Sequence, residues 1–188
     1  MSIRAAQVKE LRNLTGAGIM ESKRALEEVG GDVSKAEALL VQQGLAKADK
    51  KAGRAAKQGI VEPYIHGGGR IAALVEVNCE TDFVARTEDF RNLAHDIAMQ
   101  VAAMAPKFVS VDEISDDQWA DLEREHGDRK KAAQAVCLLD QPFIKDPKLT
   151  IQDLTKAVIG KLGENVVVRR FARFEVGADL PASESSDE

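Results

Sequence analysis

Cysteine is scarce in this 188-residue chain, with Cys79 and Cys137 the only two. They stand far apart and without metal-ligand spacing, which argues against a disulfide-stapled fold and makes reduced, buried thiols the expectation. Histidine is scarce too. His66, His95 and His126 have no second histidine, cysteine or carboxylate at zinc spacing, so no metal site is expected. Basic charge is in deficit, with 26 Lys and Arg against 31 Asp and Glu and a formal net charge of −5. A general nucleic-acid binder needs a basic face to displace counterions, so a protein partner is the better default. No apolar run approaches the roughly 20 residues that span a bilayer. The start, Met1-Ser2-Ile3-Arg4, leads into a polar helical pattern instead of a signal-peptide core. A cytosolic chain without membrane association is expected.

Nucleotide-binding and catalytic signatures are also missing. Gly67-Gly68-Gly69 lacks the following Lys-Ser/Thr of a phosphate loop, and Gly16-Ala17-Gly18 joins two helical patterns instead of following a strand. Glu80 and Asp82 could pair for acid–base work, yet without a supporting His, Lys or metal they read as solvated carboxylates. No cofactor and no enzymatic activity are expected.

What is present supports one medium domain plus a small accessory module, since 44% of the residues are hydrophobic. The first 44 residues read as three short helices with apolar stripes Val8, Leu11, Leu14; Ile19, Leu26, Val29; and Val33, Ala36, Leu40. Gly16 and Gly18 separate the first two, Gly30-Gly31 the next, Asp32 caps the third and Gly44 can end it. Residues 45–58 carry five basic side chains against the single Asp49 and read as a basic linker, with contact to an acidic patch or RNA as the alternative.

A mixed region follows, over residues 59–177. Ile60–His66 and Arg70–Val77 flank the three glycines as a β-hairpin. Thr87 can cap a helix with the stripe Phe90, Leu93, Ile97, Val101 and Met104, and Pro106 stops it. Trp119 with Leu122 mark one short helix and Ala132–Leu139 another. Thr150 and Asp153 form a capping-box pattern ahead of Ile151, Leu154, Val158 and Leu162, with Gly163 as terminator. A last strand over 165–176 alternates Val166, Val168, Ala172 and Phe174 onto one face. The expected fold class is α+β: a three-helix module, then an antiparallel three-stranded sheet packed with helices on one side. Residues 178–188 read as an acidic, disordered tail.

The stretch most informative for function is Asn78-Cys79-Glu80-Thr81-Asp82-Phe83-Val84-Ala85-Arg86, where a strand gives way to a helix and an aromatic ring sits beside a carboxylate. Phe83 can fold back as a core plug, gaining about 1.5–3 kcal/mol by burial, or project into a partner. This run closely resembles the signature of the elongation factor Ts family. Two further stretches resemble the same family: Leu14–Gly18 through Lys23–Leu26, and Gly163-Glu164-Asn165 followed by Val168–Phe171. The resemblance extends over about Ile3 to Gly177.

The resemblance implies a guanine-nucleotide exchange factor for elongation factor Tu, opened by a ubiquitin-associated-like module. In that family the Thr-Asp-Phe-Val turn, here Thr81, Asp82, Phe83 and Val84, approaches the magnesium side of the partner's nucleotide pocket with Phe as a wedge. The N-terminal module contacts the partner's nucleotide domain, here through Ile19, Met20 and Lys23, although Ile19 could instead pack inside the module. Ser22 stands where many members have Cys, and Gln58 where many have Glu. Arg169-Arg170-Phe171 is structural or lies at a subunit contact. The length matches a short form in which two subunits pair their sheets, implying a homodimer and a two-to-two complex with elongation factor Tu. A general protein-binding adaptor or chaperone-like module is the competing function. A hydrolase or transferase using Asp82 has only isolated carboxylates behind it.

Overall fold

The computed structural model describes residues 3–178. Most of the tail expected at 178–188 lies outside the described residues. Three helices come first: α1 (Ala5–Thr15), α2 (Ile19–Glu28) and α3 (Val33–Asp49). They close on Leu11, Ala25, Leu26, Ala36 and Leu40. The Asp32 carboxylate accepts from the Lys35 N–H at 3.1 Å and caps α3. Leu14 and Ile19 do not join this core. Leu14 lies in the last turn of α1 and Ile19 opens α2, and both stay exposed.

Gly44 does not terminate α3, which runs on to Asp49. It instead forms a close helix crossing. A Cβ placed on Gly160 would come within 2.9 Å of the Gly44 Cα, so α3 and the later helix α8 meet backbone to backbone. Lys156 pairs with Asp49 at 2.8 Å along the same seam.

The hairpin consists of β1 (Gln58–His66) and β2 (Ile71–Cys79), with His66 opposite Ile71 and the three glycines at positive φ in the turn. Next come the single-turn α4 (Asp82–Ala85) and the long α5 (Glu88–Met104). The Thr87 hydroxyl caps α5, accepting from Phe90 N–H at 3.3 Å. Phe90, Leu93, Ile97 and Val101 are buried as the periodicity requires, whereas Met104, at the helix end, is nearly half exposed. Helices α6 (Asp116–His126) and α7 (Arg129–Val136) form a hairpin with its own small core around Trp119, Leu122, Ala132 and Val136. The Arg129 guanidinium lies 4.3 Å above the Trp119 ring.

A two-stranded ribbon, β3 (Pro142–Phe143) with β4 (Asp146–Thr150), was not legible from sequence. Strand β3 has two residues, and β4 buries no face that could alternate. It delivers the chain to α8 (Ile151–Leu162), where Thr150 and Asp153 form the expected capping box. Strand β5 (Val166–Glu175) completes an antiparallel sheet of order β1-β2-β5. The fold is therefore α+β, with α5 and α8 on the inner face of the sheet.

The alternation expected along β5 fails halfway. Val168 pairs with Val77 and Arg170 with Glu76, so Arg169 is an extra, bulged residue. A one-residue insertion flips every later side chain. Val166 and Val168 remain buried, but Phe171 and Arg173 then turn inward while Ala172 and Phe174 turn outward. The bulge also keeps both arginines in water, where Arg170 and Arg169 reach Glu76 at 2.7 and 3.6 Å. The Arg170 hydrogen bond holds the Glu76 carboxyl below its ordinary value. Val61, Ile65, Leu74 and Phe174 consequently share the outer face and remain exposed.

Candidate functional site

Strand β2 ends at Cys79, and the chain crosses Glu80 and Thr81 to enter α4. Four residues of helix are far too few to be stable alone. The turn is therefore held from outside. One Glu164 carboxylate oxygen accepts from the Thr81 backbone N–H at 2.9 Å, and the other accepts from Thr81 Oγ1 at 2.7 Å. Glu80 accepts in return from the Asn165 N–H at 2.7 Å and lies 3.6 Å from the Arg54 guanidinium. Asn165 Nδ2 donates to the Arg54 carbonyl at 2.8 Å. Cys79 Sγ donates to the Thr81 carbonyl at 3.1 Å. Burial, and after it the nearby Glu164 charge, pushes the Cys79 thiol pKa up, so this sulfur stays a thiol.

The four residues predicted for this turn divide their work. Thr81 is the N-cap, its Oγ1 accepting from Val84 N–H at 3.4 Å. Val84 packs against the main core and Ala85 is buried. Asp82 faces solvent and pairs with Arg86 at 2.7 Å. Phe83 points away from the core and is 77% exposed, the most exposed large hydrophobic among the described residues. Of the two fates open to this ring, the geometry selects projection.

Ile19, Met20 and Lys23 form a separate patch on the first turns of α2. Ile19 is 59% and Met20 63% exposed; Met20 lies off the buried face of Ser22, Ala25 and Leu26, and Ile19 is the first residue of the helix. Ile19 and Lys23 also border a shallow, mainly apolar groove shared with Ile3, Val8 and Arg12. Lys23 lies 3.8 Å from Glu27.

Sequence reasoning missed Glu164, Asn165 and Arg54 as members of the site. Glu164 is 83 residues from Thr81, beyond the reach of any periodicity. The available signal was the position of Glu164-Asn165, two polar residues between a helix-ending glycine and a strand. No group of three potential metal ligands occurs among the described residues, and none of their helices is long and apolar enough to cross a membrane. Cys79 and Cys137 are free and buried.

A family model described as elongation factor TS matches residues 45–126 and 123–178. Elongation factor Ts of Desulforamulus reducens is 52% identical over 198 aligned residues, which cover 95% of this chain and 91% of the relative. That of Carboxydothermus hydrogenoformans is 49% identical, covering 97% and 93%. That of Coprothermobacter proteolyticus is 48% identical, covering 94% and 100%.

Proposed function

The chain belongs to the elongation factor Ts family of translation elongation factors, and on that premise we propose that it is the guanine-nucleotide exchange factor of elongation factor Tu. The observation that carries this reading is Phe83, an aromatic ring held out in water by a turn that is itself anchored on its inner side. An exposed ring gains nothing for the isolated fold and gains about 1.5–3 kcal/mol when a partner covers it.

Phe83 is the wedge, and Thr81, Asp82 and Val84 shape the turn that presents it toward the magnesium side of the partner's nucleotide pocket. Magnesium requires near-octahedral coordination, so a small displacement of its surroundings weakens the grip on the phosphates. Each 1.4 kcal/mol removed from the release barrier accelerates GDP loss tenfold, so one buried ring is of the order to supply one or two such factors. By linkage, the factor binds nucleotide-free elongation factor Tu more tightly than the loaded form, and GDP or GTP weakens that complex by the same ratio. The chain itself binds no nucleotide, holds no cofactor and acts as an exchange factor, not an enzyme.

Ile19, Met20 and Lys23 supply a second contact to elongation factor Tu, with Met20 suited to an adaptable surface. The three helices through Asp49 act as the contact module, the basic residues from there to the start of β1 at Gln58 as the connector, the sheet and its helices to 177 as the core and dimerisation domain, and 178–188 as the acidic tail. The exposed outer face of the sheet, with Ile65, Leu74 and Phe174, supports a homodimer and a two-to-two complex in the cytoplasm.

The test is stopped-flow release of a fluorescent GDP from purified elongation factor Tu. The wild-type protein should accelerate release, and Phe83→Ala should lose about tenfold or more of that acceleration while keeping the same melting temperature. Release at the intrinsic rate with the wild type would overturn the assignment in favour of an adaptor without exchange activity.

A further inference from the structure

The Phe83 turn is built as a short lever with one principal fastening. Its first residue, Thr81, gives both of its hydrogen-bond donors to a single carboxylate, at 2.9 Å from the backbone N–H and 2.7 Å from Oγ1. That carboxylate belongs to Glu164, immediately after the glycine that ends α8. The next residue, Asn165, closes the reverse link by donating its N–H to Glu80 at 2.7 Å. The loop before β5 and the loop after β2 are thus cross-tied where these two neighbouring strands of the sheet end. Beyond Thr81 the turn has hydrophobic support from Val84 and Ala85, but Asp82 and Phe83 face solvent.

Resting on the exchange reading, we infer that Glu164 is a positioning residue for exchange: it presets the orientation of Phe83 before the partner arrives. A carboxylate is the right group for this task. It has acceptor capacity on both oxygens and no donor, so it takes the backbone N–H, which can only donate, and the hydroxyl proton together. An amide offers one acceptor oxygen for the backbone N–H, and its NH2 can meet Oγ1 only if the hydroxyl turns to accept, so the charge on the acceptor side is lost. Charge-assisted bonds of this length are also the stronger kind. Because the exchange reading has the ring insert as the nucleotide leaves, a preset turn spares its ordering cost at that step, and the effect falls on release more than on the encounter.

The experiment measures fluorescent GDP release from elongation factor Tu at rising concentrations of the full-length protein. It compares wild type, Phe83→Ala, Glu164→Gln and the double variant. Glu164→Gln should lower the maximal release rate about tenfold while the half-saturating concentration moves less than about threefold. In the Phe83→Ala background the same substitution should change the maximal rate less than about twofold, because Glu164 acts through that ring. Hydrogen exchange of the free protein should rise over residues 81–86 in Glu164→Gln while the sheet amides keep their protection.

Two results overturn the inference alone: wild-type acceleration unchanged by Glu164→Gln, or an equal loss in both backgrounds, which marks a general structural role. Failure of the wild type to accelerate release refutes the exchange reading itself, and the inference with it. Should Glu164→Gln fold poorly, two variants of Thr81 are compared. Thr81→Val removes the hydroxyl that both donates to Glu164 and caps α4, while Thr81→Asn, whose side chain can still cap, keeps the backbone bond and loses only the hydroxyl donor. Both should then reproduce the drop in maximal rate in part, and an unchanged rate in Thr81→Asn would overturn the inference.

Discussion

Replacing Phe174 with aspartate tests the outer face of the sheet. The ring is 67% exposed in the single chain and shares its face with Leu74 and Ile65 across the strands. A buried phenylalanine covers about 150–250 Å², so roughly 120 Å² of this ring is left for a second copy to cover. At about 25 cal/mol per Å² that is near 3 kcal/mol, and a two-fold interface uses the residue twice, doubling it to about 6 kcal/mol. Ordering costs absorb part of any such sum. The expected weakening of the dimer is therefore at least about hundredfold in Kd, before the penalty for placing a carboxylate in an apolar contact. Because the side chain points outward, the stability of the folded single chain should change by less than about 0.5 kcal/mol. Sedimentation velocity over a range of protein concentrations, paired with thermal unfolding, reads both quantities. A Phe174→Asp protein that stays dimeric at the same concentrations as wild type, or a wild-type protein that is monomeric at every concentration, would refute the reasoning.

Two further expectations test the interior. Gly160→Ala places a methyl group 2.9 Å from the Gly44 Cα at the α3–α8 crossing; the helices must separate, and urea unfolding should show a loss of about 1–3 kcal/mol, with no loss counting against a tight crossing. Cys137 is fully buried, and burial, followed by the neighbouring Asp140, pushes its thiol up to about 11. In the unfolded chain the thiol ionises near its ordinary value of 9.0. Between those values the native state holds the proton that the unfolded state has released, so stability should fall as pH rises from about 9 to 11. Cys137→Ala should reduce that slope, with buried Cys79 supplying a part that remains, and an unchanged slope would exclude the Cys137 thiol as a source.

Elements governed by local rules were legible in the chain. The Thr87 and Thr150 caps, the glycine hairpin and the buried stripe from Phe90 to Val101 depend on residues within a few positions of one another. Errors fell where a local rule met a tertiary one. Gly44 has the composition of a helix stop, yet α3 continues because the glycine is used for a close crossing with Gly160. Leu14 and Ile19 fit helical stripes, yet at the end of α1 and the start of α2 they stay exposed. Strand β5 alternates correctly until Arg169, where the bulge reverses the faces of Ala172 and Phe174.

The sequence by itself determined the α+β class, the order of its main elements and the turn from Thr81 to Val84, because periodicity, caps and motif residues are properties of neighbouring positions. It left Phe83 with two fates, inside or outside. Only the tertiary structure decided between them. A four-residue helix has no preferred direction of its own; here Val84 and Ala85 seat it on the core, Glu164, 83 residues from Thr81 along the chain, takes both donors of Thr81, and the Phe83 ring is left in water.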